Sequence, residues 1–210
     1  MEKLEELKLG KDFVGDKNAQ TLAHDLLGKI MHCASGDYLI TVTEAYPAND
    51  SYSYIYRATH NVDGTKKSEN DIKKGAKAYK ILTDKNRAGE FFLYGGMLHL
   101  ACKANKTESE NARIELDNVL IRGAVKVEDN TLIIDDNIKM NFGEGRPTTL
   151  VDTLKINNEN LPTLGDINIP LTFVTGEGKR IGLNYNDNDK YKTDADADAE
   201  YRFFINKIKI

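Results

Sequence analysis

A carboxylate and an aromatic ring stand two positions apart in Val42-Thr43-Glu44-Ala45-Tyr46, at the end of an apolar strand pattern. Side chains at i and i+2 of a strand point to the same face. Glu44 and Tyr46 therefore project side by side into one pocket, where the first could handle a proton and the second could stack on a flat ligand. Taken alone, the triplet favours a solvated or ion-paired glutamate over a functional one.

Other reactive side chains form no motif that indicates a metal or a covalent nucleophile. Cys33 and Cys102 lack zinc-ligand spacing, so we expect two reduced thiols. The four histidines follow no metal or triad pattern, and no Gly-x-Ser-x-Gly is present. For His99, in a strand pattern, packing is favoured over a place near a pocket. We therefore expect no metal site.

Charge is distributed unevenly along a chain whose net charge is −4. Between positions 65 and 87, eight basic residues against three acidic ones give a net charge of +5. Such a run is either a solvated face or a phosphate-binding surface. The acidic tract at Asp194–Glu200 is typical of a mobile loop or a weak cation site, and it lacks the spacing of an EF-hand loop.

Length and hydropathy predict one domain. A chain of 210 residues with 40% hydrophobic content can bury one sizeable core. No apolar run reaches the roughly 18 to 20 residues that span a bilayer, and the charged segment Met1–Lys11 lacks the apolar region of a signal peptide. We therefore expect a cytoplasmic protein with no membrane contact.

The order of elements predicts an α+β domain with a curved, mostly antiparallel β-sheet flanked by helices. Residues 1–18 form a polar lead-in to a domain over 19–210. Apolar spacing predicts helices at Ala19–Lys29 and Thr149–Ile156, with a third within Ser68–Thr83. Strands are predicted at Asp37–Thr43, Phe91–Tyr94, Met97–Ala104, two segments within Arg113–Val125, Leu132–Ile134, Lys179–Asn184 and Tyr201–Ile205. Gly95-Gly96 marks a hairpin turn.

Six short motifs resemble the alkyladenine (3-methyladenine) DNA glycosylase family in order and spacing. The likeness covers roughly residues 13–206. The motifs are Leu26-Leu27-Gly28-Lys29, Thr43-Glu44-Ala45-Tyr46, Phe92-Leu93-Tyr94, Val119-Leu120-Ile121-Arg122-Gly123, Lys179-Arg180-Ile181-Gly182-Leu183 and Tyr201-Arg202-Phe203. The resemblance implies the methyladenine glycosylase fold, related to the formyltransferase C-terminal-domain-like fold.

The resemblance also implies an activity: hydrolysis of the N-glycosidic bond of alkylated or deaminated purines flipped out of duplex DNA. Glu44 would activate the water, and Arg122 would help to hold that water. Tyr46 and Tyr94 would sandwich the flipped base, and Tyr54 replaces a base-contacting histidine of the family. The expected partner is double-stranded DNA that contains a damaged purine, bound by a monomer without a cofactor.

The same resemblance assigns residues that contact the DNA itself. Met97, with Leu98 beside it, matches the side chain that wedges into the duplex at the hairpin tip. Lys66 and Lys67 stand where the family has a Thr-x-Arg-Asn segment, and they are assigned to phosphate binding.

Two other functions remain open at this stage. One is a non-catalytic nucleic-acid binding protein that keeps the pocket; the acidic pI of about 5.6 favours it. The other is a hydrolase of a different modified base or of a nucleoside, which Tyr54 would permit.

Overall fold

An antiparallel sheet organises the molecule. The computed structural model describes residues 11–14, 17–105, 114–129, 131–133, 146–166, 172–181, 196 and 198–209. Within these ranges the strands are β1 (Ile30–Cys33), β2 (Gly36–Tyr46), β3 (Phe91–Tyr94), β4 (Met97–Asn105), β5 (Glu115–Glu128), β6 (Thr131–Ile133), β7 (Thr163–Gly165), β8 (Thr172–Gly178) and β9 (Arg202–Lys209).

Short helices fill the connections between the strands. They are α1 (Lys11–Val14), α2 (Ala19–Asp25), α3 (Tyr54–Thr59), α4 (Lys77–Leu82) and α5 (Pro147–Thr153), with a 3-10 helix at Lys85–Arg87. Asn18 caps α2 because its Oδ1 accepts a hydrogen bond from the backbone N–H of Thr21 at 2.8 Å. The described part of the chain contains no helix that is both long and apolar enough to cross a membrane.

The strand order is β3-β4-β5-β2-β1-β7, with β6 beside β5, and β9 beside both β2 and β8. Every pairing is antiparallel. Strand β2 pairs with β1, β5 and β9, so the strand that carries Glu44 lies inside the sheet. This arrangement confirms the α+β class with a curled antiparallel sheet.

Strand pairing divides the side chains of β2–β5 between two faces. A row of paired residues crosses the sheet from Glu44 through Leu120 and His99 to Phe92. Paired residues share a face, as do residues two apart on one strand. We call this side the site face; it comprises Glu44, Tyr46, Phe92, Tyr94, Met97, His99, Ala101, Asn118, Leu120 and Arg122.

The opposite side, which we call the core face, is apolar. Its residues on the same strands are Ala45, Phe91, Leu98, Leu100, Val119 and Ile121. Leu22 and Leu26 of the α2 region and Leu150 of α5 pack against it, and all three are fully buried. Fully burying a side chain of this size contributes about 1.5–3 kcal/mol, so this face supplies much of the folding free energy.

A second apolar cluster covers part of the site face. Ile55 of α3 and Leu82 of α4 are buried against Phe92, Ala101 and Leu116. The helices α3 and α4 therefore leave the Glu44 end of this face to polar groups.

An irregularity in the pairing of β2 with β5 orients one of those polar groups, the guanidinium of Arg122. Val42 pairs with Gly123 but Thr43 pairs with Ile121, so Arg122 is an extra residue on β5. Such a bulge bends the strand and redirects a side chain. It places the guanidinium of Arg122 beside Glu44, 3.3 Å from its Oε1.

The β3–β4 hairpin is confirmed, including its turn. Gly95 and Gly96 have φ values of +59° and +75°. Two consecutive residues with positive φ are typical of the turn whose twist matches paired strands, and glycine adopts it without strain.

Several predicted boundaries were wrong. The first helix ends at Asp25 rather than at Lys29. Gly28, with a φ of +79°, turns the chain after the helix. The two segments predicted around Asp117 are one strand, β5. The strand predicted at Lys179–Asn184 is not formed at 179–181, which follow the end of β8; residues 182–184 lie outside the described ranges.

The lead-in predicted over residues 1–18 also takes part in the fold. Val14 of α1 is only 3% exposed and belongs to the core-face cluster. Residues 1–10 lie outside the described ranges. Helix α3 was not predicted.

Candidate functional site

Glu44 is the carboxylate of the site face, and it is fully buried, with 0% exposure. Its Oε1 accepts a hydrogen bond from the backbone N–H of Ile181 at 2.9 Å and lies 3.3 Å from Nη1 of Arg122. Its Oε2 accepts from the hydroxyl of Tyr46 at 3.1 Å. A buried carboxylate is costly unless it is paired and hydrogen-bonded, and here both conditions are met.

Tyr46 connects this carboxylate to the neighbouring rings. Burial, followed by the charge of Glu44, raises the pKa of the Tyr46 hydroxyl well above its ordinary value. The hydroxyl therefore stays protonated at physiological pH and donates a hydrogen bond to Glu44. The structure brings together Glu44, Tyr46 and Arg122, as the sequence predicted.

Aromatic rings continue the site face away from Glu44. The rings of Tyr54 and Tyr94 lie 4.3 Å apart between centroids, tilted by 52°. His99 lies between the two groups, with its ring centroid 6.3 Å from that of Tyr46 and 6.2 Å from that of Tyr94. The three tyrosines assigned to base binding thus belong to one series of ring contacts, in which His99 joins Tyr46 to Tyr94.

The hairpin places the two predicted wedge residues on opposite faces of the sheet. Met97 pairs with Tyr94 beside the turn and is partly exposed. Leu98 has 0% exposure and packs in the core-face cluster. The assignment of Leu98 as a wedge is therefore corrected, because alternation along β4 directs its side chain into the core. Met97 remains a candidate for the wedge residue.

Lys66 and Lys67 lie beyond α3 in the basic segment. Lys66 is exposed, whereas Nζ of Lys67 donates to the backbone carbonyl of Arg57 at 2.7 Å. Lys67 therefore has a structural contact in addition to any ligand it meets. The other lysines of this segment point mostly to solvent, and Lys74 pairs with Glu69 at 2.5 Å.

Sequence reasoning missed a second buried ion pair beside the site. The side chain of Arg180 is fully buried, and its Nη1 lies 2.8 Å from Oδ2 of Asp50. The same guanidinium donates to the carbonyl of Ala45 at 3.1 Å and lies 4.7 Å from the ring centroid of Tyr46. Burial raises the pKa of Asp50, which the charge of Arg180 opposes.

This second pair fixes the segment that contacts Glu44. Arg180 bonds to the carbonyl of the residue after Glu44, and the next residue, Ile181, donates its N–H to Glu44 itself. The sequence predicted a strand at Lys179–Asn184, and Arg180 lies instead just after the end of β8.

The described part of the acidic tract docks onto the same region. Oδ2 of Asp196 accepts from the N–H of Ser51 at 3.1 Å, and its carbonyl accepts from Arg180 at 2.9 Å. Asp198 pairs with Lys179 at 2.6 Å. In the described residues, no group of three or more His, Cys, Asp or Glu side chains is arranged to hold a metal ion. Both cysteines are free thiols.

No protein-family model matches this chain, and no curated protein matches it either. The geometry of the site face is therefore the basis for any functional assignment.

Proposed function

We propose that this chain is a monofunctional DNA glycosylase of the alkyladenine type, with the corresponding fold. It would hydrolyse the N-glycosidic bond of a damaged purine in duplex DNA. The observation that carries the proposal is one buried carboxylate, Glu44, held by Arg122 and Tyr46 at the edge of an aromatic region. A carboxylate next to a surface that can stack a base is the minimum that this chemistry needs.

The proposed reaction uses water and one carboxylate. Glu44 takes a proton from water as the water oxygen attacks C1′ of the sugar, and the bond from C1′ to the purine nitrogen breaks. Positive charge develops on the sugar in the transition state, and a buried anion stabilises it strongly. The free base carries away the electron pair of the broken bond.

Arg122 and Ile181 have complementary roles in this proposal. Both act on Oε1 of Glu44, so they fix the carboxylate while Oε2 faces Tyr46. The reactive water would replace the Tyr46 hydroxyl as the partner of Oε2. Tyr46 would then be free to present its ring to the base.

DNA binding would use the exposed hairpin and the basic segment. Met97 lies beside a tight turn and can insert between base pairs, whereas the fully buried Leu98 anchors the hairpin. Lys66 and its basic neighbours would contact phosphates without reading sequence. We propose a monomeric, cytoplasmic protein that works without a cofactor.

One observation favours a second candidate, a nucleic-acid binding protein without turnover. The Glu44 side chain is wholly buried, and described groups already contact both its oxygens. A glutamate in this state could serve only to hold Arg122 and the segment before Ile181. Hydrolysis of a different modified base or of a nucleoside would need the same water at Glu44.

Single-turnover assays on duplexes that carry hypoxanthine, 1,N6-ethenoadenine or a methylated purine test the proposal. The variants are Glu44→Gln and, as a matched control, Glu177→Gln on the exposed surface of β8. We expect base release by the wild type and by the control. Glu44→Gln should release the base at least about 100-fold more slowly, the lower range for the loss of a general base. It should still bind damaged duplex.

Each result of this assay has a separate meaning. Unchanged turnover in a folded Glu44→Gln protein would remove Glu44 from the chemistry. Tight binding of damaged duplex with no release by the wild type would favour the second candidate. Circular dichroism of each variant keeps loss of folding apart from loss of function.

A further inference from the structure

His99 has a buried nitrogen that the proposed chemistry does not use. The residue is 6% exposed, and its Nε2 has no hydrogen-bond partner within the described ranges. A buried polar atom left without a partner costs roughly 1–3 kcal/mol, so such atoms call for an explanation. The other nitrogen, Nδ1, lies 2.9 Å from Oδ1 of Asn118.

The contact with Asn118 fixes which nitrogen carries the proton. Nδ2 of Asn118 donates to the carbonyl of Tyr46 at 3.4 Å, which orients the amide so that its oxygen faces His99. An amide oxygen can only accept, so Nδ1 of His99 is the donor. In a neutral imidazole the remaining nitrogen then has a lone pair and no proton.

The environment keeps this ring neutral. Burial lowers the pKa of His99 to about 4, against a smaller opposite effect of the Asn118 hydrogen bond. The groups packed around the ring are Phe92, stacked at 5.3 Å, and the uncharged rings of Tyr46 and Tyr94. Near neutral pH, Nε2 is therefore a hydrogen-bond acceptor.

The position of His99 relates this acceptor to the ligand. On the site face His99 lies one strand beyond Leu120 in the row that begins at Glu44. Two of the three tyrosines assigned to base binding flank it. A purine stacked in this region would have an edge within reach of the imidazole.

We propose that Nε2 of His99 accepts a hydrogen bond from an N–H on the purine edge, so that the pocket selects bases with a donor there. This inference rests on the proposed function, because it concerns the same pocket. Hypoxanthine has such a donor at N1. In 1,N6-ethenoadenine a fused ring ties up both N1 and N6, and no N–H remains.

The first test measures a ratio of excision rates rather than a single rate. Wild type, His99→Phe and His24→Phe are compared on duplexes with hypoxanthine or 1,N6-ethenoadenine. His24 is exposed on α2, outside the site face. We expect His99→Phe to reduce the preference for hypoxanthine about tenfold, the size of one neutral hydrogen bond, while His24→Phe leaves it unchanged.

A second variant reverses the role of the ring. In Asn118→Asp a carboxylate faces Nδ1, which favours the imidazolium and puts a proton on Nε2. We expect this variant to discriminate against hypoxanthine relative to wild type. A residue that only packs would change both substrates by one factor.

The second test does not depend on turnover. The ¹⁵N signal of His99 Nε2 in the full chain is followed while 9-methylhypoxanthine or 9-methyl-1,N6-ethenoadenine is added, so that the two ligands differ in the N–H at N1. We expect an upfield shift with the donor-bearing hypoxanthine and none with the methylated etheno base, and a spectrum without ligand that identifies Nδ1 as the protonated nitrogen.

The two tests separate the two proposals. Excision with an unchanged ratio in His99→Phe would overturn the role of His99 and leave the glycosylase in place. No excision, with the Nε2 shift present, would reject the glycosylase and retain the acceptor. No shift with either base would overturn the inference whatever the enzyme does.

Discussion

The core face and the site face use the same four strands for opposite purposes. Leu98, Leu100, Val119 and Ile121 on the core face are apolar and at most 1% exposed. Their neighbours on the site face include Glu44, His99, Asn118 and Arg122, which are also buried but are ionisable or polar. The faces therefore differ in what satisfies the buried groups: close packing on one, specific partners on the other.

This difference shows where the chain can accept change. An apolar face tolerates substitutions that conserve volume, because its contacts have no direction. A face built from hydrogen-bonded pairs loses most when one partner is removed, because the other is left buried and unsatisfied. Stability and function thus depend on different neighbours along each strand.

The ion pair beside the site face gives the largest effect. Asp50→Ala leaves the buried guanidinium of Arg180 without its carboxylate, which we expect to lower the free energy of unfolding by about 4 kcal/mol. Urea denaturation measures the loss. Asp152→Ala, on the exposed side of α5, is the control and should stay within about 0.5 kcal/mol.

Asp50→Asn sharpens this prediction. It keeps the size of the side chain and one accepting oxygen, which can serve either Arg180 or the N–H of Tyr52, so it should destabilise less than alanine. Equal losses for alanine and asparagine would show that the charge of Asp50, which both variants remove, holds this region rather than the size of its side chain.

Adjacent residues of the hairpin separate the faces more directly. Leu98→Ala opens a cavity in the core face and should cost about 3 kcal/mol of unfolding free energy. Met97→Ala, partly exposed on the other face, should cost under about 1 kcal/mol. It should slow base release from paired duplex more than from single strands, because only a paired base leaves a gap to fill.

The hairpin comparison would fail if the two variants behaved alike. A Met97→Ala protein as unstable as Leu98→Ala would place Met97 in the core. Equal slowing on paired and single-stranded lesions would remove its role as a wedge.

We expect a fall in pH to lower the free energy of unfolding first through His99 of the site face, and only later through the core face. Its pKa is about 4 in the folded chain against an ordinary value of 6.5, so between these values the unfolded chain binds more protons. Stability from the neutral ring is complete above about pH 6.5 and falls as the pH is lowered. This contribution is about 2 kcal/mol between pH 7 and pH 5.

His99→Phe isolates that contribution. Its free energy of unfolding should fall less steeply between pH 7 and pH 5 than that of wild type, by this same amount. Parallel curves for the two proteins would mean that His99 is not buried in its neutral form.

Alternation along the chain predicted much of the sheet, and its failures have physical causes. The β3–β4 hairpin follows from two apolar runs around Gly95-Gly96. Asp117 and Asn118 imitate a turn, yet Asp117 accepts from the N–H groups of Ala19 and Ala48 at 3.1 and 2.8 Å. These distant partners let β5 continue as one strand, and no local pattern predicts them.

The candidate site divides in the same way. Glu44 and Tyr46 follow from the two-residue period of β2, and the same period in β4 places His99 with Met97 and apart from Leu98. Alternation could therefore have found His99. Arg180 and Asp50 could not be found from alternation, because their contact joins two loops far apart in the chain.

The positions of the three Glu44 partners along the chain determine when the pocket can form during synthesis. Ile181, which donates to Glu44, lies 137 residues further along the chain. At roughly 5–20 residues per second, a ribosome needs roughly 7–27 s to add that stretch. During this time the nascent carboxylate must stay in water or with a temporary partner, so the pocket can close only when the last strands arrive.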